Sequence, residues 1–199
     1  MTLDRLRPLA DRLLDPFVTL ARRVGLTPDG VSVIAFGFAV AAGAAFLQAG
    51  PVWYLLGAVF VALNGWLDLV DGALARELRT DSPAGDLLDH VLDRYADVVI
   101  VAGLAGGLDR YALGFAAVTG VLLTSYLGTQ IEAVGLDREY GGLLGRADRL
   151  ALVGVVGVIA AVAPAIGGVS VVAALLALFA VIGHLTALQR FFGAWRALQ

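Results

Sequence analysis

The chain has 199 residues, of which 59% are hydrophobic and 16% charged, against roughly 25% charged in an ordinary soluble domain, and its mean hydropathy is +0.85. That balance belongs to lipid, and at roughly 20 apolar residues per span the length holds at most about six membrane helices, leaving no room for a separate soluble domain. The net charge of −3 gives no sign of nucleic-acid binding, and with 0 Cys disulfides and thiolate metal sites are excluded.

From Leu3 to Val24 the apolar residues Leu3, Leu6, Ala10, Leu13, Phe17, Leu20 and Val24 recur at steps of three and four, with Arg and Asp between them. This is the period of an amphipathic helix. It is too charged to span, so it is expected in the interface, its arginines near anionic headgroups; a soluble cap helix packed on the membrane domain is the plainer alternative. Asp4, Arg5, Arg7, Asp11, Arg12 and Asp15 interrupt the apolar core that a cleavable signal peptide needs. Thr27-Pro28-Asp29-Gly30 then breaks the helix and starts another, since Pro suits a first turn.

Apolar runs follow at about 31–49, 52–75, 84–107, 110–134, 143–163 and 168–194. They predict an all-α fold: an amphipathic juxtamembrane helix over residues 1–26, then a transmembrane catalytic domain of six helices over residues 27–199. All 14 basic residues are Arg. Five precede the first span, Arg76 and Arg79 lie between spans two and three, Arg138, Arg146 and Arg149 between four and five, and Arg190 and Arg196 near the end. The opposite side has only Arg110. By the positive-inside rule both termini and those two loops face the cytoplasm, across the cell membrane.

Acids interrupt the second and third spans. Asp68 and Asp71 are spaced i, i+3, and Asp89 and Asp93 i, i+4, so each pair shares one helix face. The connection Arg79-Thr80-Asp81-Ser82-Pro83 is short, which predicts antiparallel neighbours carrying four carboxylates at one level near the cytoplasmic side. Four close carboxylates in low dielectric repel and take up protons unless cations neutralise them. All-oxygen ligands without His or Cys select Mg2+ or Mn2+ before Zn2+. Four acids suit two ions, a recurrent clamp for in-line attack at phosphorus.

Gly72, Ala75 and Gly85 would let a flat base or a phosphate approach the helix backbone, although helix packing explains small residues equally. Arg76, one turn after Asp71, is placed to pair with a diphosphate oxygen. Arg94 offers any one Asp an ordinary salt bridge instead.

Residues 68–93 match, without a departure, the signature D-x2-D-G-x2-A-R-x8-G-x3-D-x3-D, and through it the chain resembles the CDP-alcohol phosphotransferase family. The six-span plan and amphipathic first helix extend the likeness over essentially the whole chain. The resemblance implies that Asp68, Asp71 and Asp89 ligate the two ions. It makes Asp93 the general base and a further metal contact, and places Gly72, Ala75, Arg76 and Gly85, with Asp81 and Ser82, at the CDP site. It also implies a homodimer, embedded among membrane lipids, that takes a CDP-linked lipid donor and a small alcohol acceptor and releases CMP.

The acceptor is less legible. Arg138, Arg146, Arg149 and Arg190 are candidates for an anionic-acceptor pocket, although positive-inside bias alone would place them there. Family members that use inositol phosphate often carry a basic stretch after the fourth span. Here Ser125-Tyr126-Leu127-Gly128-Thr129-Gln130-Ile131-Glu132 lacks the early basic residues, while Gly145-Arg146-Ala147-Asp148-Arg149 resembles the family's phosphate-side cluster. A polyol phosphate, glycerol phosphate or inositol phosphate, is the first expectation, and serine or another small neutral alcohol the second. The rival classes are an intramembrane prenyltransferase, which needs more helices and differently spaced acids, and a cation transporter, which needs polar residues through the outer halves of the spans.

Overall fold

The computed structural model describes residues 7–80, 82–137 and 144–199. Its elements are α1 (Arg7–Arg23), α2 (Pro28–Leu47), α3 (Pro51–Leu78), α4 (Pro83–Gly106), α5 (Tyr111–Ala133), α6 (Arg146–Val162), a two-stranded hairpin β1 (Ala165–Ile166) and β2 (Val169–Ser170), and α7 (Val171–Ala197). The expected apolar runs each become one helix, and the helix starts are chemically marked. Pro28, Pro51 and Pro83 open α2, α3 and α4, where a missing backbone N–H is harmless. The Thr27 and Ser82 hydroxyls accept from the N–H groups of Gly30 and Gly85 at 3.1 and 3.0 Å, as N-caps do.

α2, α3, α5 and α7 are long and apolar enough to cross a membrane, and the chain is a multi-pass membrane protein. α4 carries Asp86, Asp89, Asp93, Arg94 and Asp97 between its start and Asp97, too many charges for an ordinary lipid-facing span. α6 has 17 residues, about 26 Å of helix at 1.5 Å per residue, short of the ~30 Å hydrocarbon core. Outward-facing Val33, Leu55, Phe115 and Val158 are exposed, the apolar exterior that lipid permits.

α2 is the central strut, packed on both α3 and α4. Its contact with α4 depends on glycine: a Cβ on Gly103 would fall 2.2 Å from the Gly43 carbonyl oxygen, so only bare backbones approach this closely. α3 and α4, expected as direct neighbours, instead pack against α2 on different sides and hardly touch one another. The short turn reverses the chain, but α2 holds the two helices apart. That separation opens the space into which the acids project. α6 lies along α3, and α5 packs on α7.

α1 differs from its sequence reading in which stripe meets the bundle. Leu14, Val18 and Ala21 are buried against Val31, Val70 and Leu74, whereas the expected stripe of Leu13, Phe17, Leu20 and Val24 faces outward. Phe17 still reaches the ring of Trp66 edge-on at a centroid distance of 5.3 Å, and Arg22 pairs with Glu77 at 2.8 Å. The helix is therefore apolar on two adjoining faces, one for protein and one for its surroundings. The break before α7 is also more ordered than a plain loop. Gly167 and Gly168 both have positive φ, +59° and +81°, which is the requirement of a tight two-residue hairpin turn.

Candidate metal and phosphate site

The site lies in the gap between α3 and α4. Asp68 stands ten residues before the last residue of α3, and Asp93 ten residues after the first of α4, so chain reversal brings them to one level. Asp71 and Asp89 form a second level nearer the turn. One carboxylate oxygen each from Asp68, Asp71 and Asp89 lies within 4.8 Å of the others, close enough to hold a common ion. The donor set is purely carboxylate oxygen, which fits a hard divalent cation such as Mg2+ or Mn2+.

Asp93 lines the same small cavity but is held differently. Arg146, at the start of α6, places Nη1 2.8 Å from Asp68 and Nη2 2.6 Å from Asp93, so one guanidinium ties α3 to α4 across the gap. Arg94 adds a second cation 3.5 Å from Asp93 and 3.7 Å from Asp97, and donates to the Ser125 hydroxyl. The salt bridge that the sequence offered through Arg94 thus exists, but it coexists with the three-carboxylate cluster.

α2 supplies the back wall. The Ser32 hydroxyl donates to Asp71 Oδ2 at 2.7 Å, and Asn64 Nδ2 donates to the Ala35 carbonyl at 2.9 Å. Sequence reasoning missed both residues. Asn64 was detectable, since it sits four residues before Asp68 and seven before Asp71 on one helical stripe. Ser32 carries no such signal, because only the packing of α2 on α3 brings it to Asp71.

The small and basic residues of the signature take distinct places. Among the described residues a Cβ at Gly72 would meet only the Arg76 guanidinium, at 3.4 Å, and no other helix approaches it there, so close packing of the described helices is not what keeps this position small. Arg76 is exposed beside it, and Ala75 is half-buried. At Gly85 a Cβ would meet Asp29 Oδ1 and Ser82 Oγ, both at 3.2 Å, so this glycine makes room for the α2 start and the α4 cap. Ser82 is occupied as that cap. Asp81 and Arg138 lie outside the described residues.

The other arginines divide. Arg190 donates to the Thr124 carbonyl at 2.5 Å. Arg149, expected at the mouth, is buried instead: Nη2 meets Asp97 Oδ2 at 3.0 Å with the two side chains only 8% and 5% exposed. Its charge is spent on joining α6 to α4. Breaking a buried pair costs about 3–5 kcal/mol where the remaining charge is left uncompensated; Asp97 keeps the longer Arg94 contact at 3.7 Å, so the loss falls at the low end, about 3 kcal/mol or less. Arg149→Ala is therefore expected to lower stability by that amount in detergent unfolding, and Arg149→Met with Asp97→Leu to recover most of it; an unchanged unfolding midpoint in Arg149→Ala would contradict the structural assignment.

Beside the acids, α3 and α6 enclose a groove of about 1050 Å³. Leu55, Val59, Ala62, Val155 and Val158 line its length, and Asp68, Asp93 and Arg146 close one end. From Leu55 to Asp68 it follows about 20 Å of helix.

Known proteins share this fold. The archaetidylinositol phosphate synthase of Methanothermobacter thermautotrophicus is 29% identical over 198 residues, covering 99% of this chain and 96% of that protein. A crystal structure of Mycobacterium tuberculosis phosphatidylinositol phosphate synthase with CDP-DAG bound superposes with a TM-score of 0.79 at 28% identity, over 92% of this chain and 94% of that one. The same enzyme in complex with manganese and citrate gives a TM-score of 0.78 at 27% identity, over 92% and 88% of the two chains. Residues 25–185 match the family model for CDP-alcohol phosphatidyltransferases, and with the complete eight-position signature on α3 and α4 the chain belongs to that family.

Proposed function

We propose that this protein transfers a phosphatidyl- or archaetidyl-type group from a CDP-linked lipid to inositol phosphate, releasing CMP. The observation that carries the reading is the groove between α3 and α6, apolar along its length and closed at one end by Asp68, Asp93 and Arg146. An amphiphile with long tails and a diphosphate head fits such a shape. Inositol phosphate is preferred over glycerol phosphate because the relatives above are named as synthases of archaetidylinositol phosphate and phosphatidylinositol phosphate.

Asp68, Asp71 and Asp89 would hold the divalent ions, with Asp93 as a further ligand, and such ions neutralise diphosphate charge and stabilise the leaving group. The chain's own residues do the remainder. Arg76, exposed beside open Gly72, pairs with the donor's diphosphate, and Gly72, Ala75 and Gly85 give the cytidine end a close approach to backbone. Ser82 and Asp81 would add contacts to the nucleotide. Asp93, anchored by Arg146 and Arg94, takes the acceptor hydroxyl proton. The acceptor oxygen forms a bond to the lipid-side phosphorus as the bond from that phosphorus to the bridging oxygen breaks, and CMP departs with the electron pair. Arg146 and Arg190, with Arg138, supply cations for the acceptor's phosphate.

The same reading takes all six helices α2 to α7 as spanning, with α4 and α6 sheltered by their neighbours and α1 lying in the interface on its outward apolar stripe. The arginine bias puts both termini and the carboxylates on the cytoplasmic side of the cell membrane. The homodimer rests on the family resemblance.

Purified protein incubated with radiolabelled CDP-lipid and Mg2+ should release CMP strongly with inositol phosphate and weakly with glycerol phosphate or serine. A dominant response to serine would move the acceptor assignment, and no CMP release with any alcohol would contradict the function.

A further inference from the structure

Asn64 lies outside the signature but borders the aspartates. Its side chain is 2% exposed and lines, with Asp68, Asp71, Asp89 and Asp93, a cavity of about 10 Å³, roughly the room of one water-sized sphere. The amide orientation is fixed by chemistry. The Ala35 carbonyl 2.9 Å away can only accept, so the nitrogen must face α2 and the oxygen must face away from that carbonyl. That oxygen, Oδ1, is fully buried and has no hydrogen-bond partner among the described residues. A buried acceptor left unsatisfied costs about 1–3 kcal/mol. The interhelical bond to Ala35 returns about 0.5–1.5 kcal/mol, so it does not by itself account for a buried acceptor without a partner.

We infer that Asn64 is a positioning residue of the ion site: its Oδ1 accepts a hydrogen bond from a water carried by the divalent ion at Asp68 and Asp71. Hard cations such as Mg2+ and Mn2+ retain several waters, and residues that orient such waters and ligands typically change metal affinity ten- to a hundredfold when removed. The i, i+4 and i, i+7 relation of Asn64 to the two aspartates places all three on one face of α3. Ser32, bonded to Asp71, and the Ala35 carbonyl, bonded to Asn64, make α2 the common brace for both the ligand and its water. The inference rests on reading the aspartate cluster as an ion site, and its test separates the two.

Mn2+ affinity is measured calorimetrically on purified full-length protein without donor or acceptor, alongside the metal-free unfolding temperature. Asn64→Ala and the near-isosteric Asn64→Leu should each weaken Mn2+ binding at least about tenfold. Asn64→Asp, which keeps an oxygen toward the ion but cannot donate to Ala35, should bind Mn2+ at least as tightly as wild type while melting lower without metal. A merely structural clamp predicts otherwise: all three variants would lose metal-free stability and keep wild-type Mn2+ affinity, and that result would overturn the inference. Failure of Asn64→Asp to retain binding would overturn it too. Wild-type protein that binds no Mn2+ would overturn the cluster reading itself, a result distinct from unaltered binding in the Asn64 variants.

Discussion

Asp93→Asn is expected to reduce turnover by about a hundred- to ten-thousandfold while CDP-lipid binding stays near wild type. Asn has nearly the shape of Asp, and one of its polar atoms can still accept from Arg146, which lies 2.6 Å from Asp93. The bridge from α6 therefore survives in part and the site keeps its form. What the amide loses is the capacity to take a proton from the acceptor hydroxyl. Arg94 at 3.5 Å flanks the same carboxylate, so two cations from different helices fix its direction before substrate arrives, as general-base catalysis requires. Steady-state CMP release measures the first effect, and thermal protection of the protein by CDP-lipid the second. Wild-type turnover in this variant would remove Asp93 from the mechanism, and loss of donor protection together with turnover would assign it to binding.

Asp89→Ala is expected to abolish the stabilisation that Mn2+ confers without weakening the metal-free fold. A ligand present at a hundred times its Kd stabilises the folded state by about 2.7 kcal/mol, which is the gain wild type should show and the variant should lack. The metal-free direction follows from electrostatics. Asp89 shares the cluster with Asp68 and Asp71; the cations that face it, Arg146, Arg94 and His90, the last at 4.0 Å, act on it less than burial and Asp68 do. Removing one of several like charges relieves repulsion, so the variant should unfold at the same temperature as metal-free wild type or higher. Thermal unfolding with and without Mn2+ gives both numbers. A variant that melts lower without metal but retains the full Mn2+ gain would mark Asp89 as a structural residue.

The pairing of the aspartates was legible because helical spacing alone fixes which side chains share a face, and α3 and α4 have the lengths the apolar runs implied. The position of α2 between those helices was not. It depends on the glycine crossing at Gly43 and Gly103, and one chain's spacing does not say which small residues will meet. The Arg146 bridge escaped for a related reason. The sequence marks this arginine as a candidate for an anion pocket, but its partners Asp68 and Asp93 are 78 and 53 residues away, a distance that only tertiary packing closes. Arg149, three residues further along the same helix, turns to a different face and is buried on Asp97, so two arginines that look equivalent in sequence have separate work. The Gly167-Gly168 hairpin is legible in its dipeptide, which supplies the two positive φ values that the turn needs.

Asp68 and Asp71 of α3 and Asp89 of α4 are close enough to share a divalent cation between the two helices. Anomalous diffraction from crystals grown with Mn2+ locates the metal directly. The predicted result is manganese density between the two helices, with oxygens of Asp68, Asp71 and Asp89 as its protein ligands and Asn64 behind it. Saturating Mn2+ that leaves no anomalous peak there, or a peak elsewhere with the three carboxylates untouched, would contradict the account.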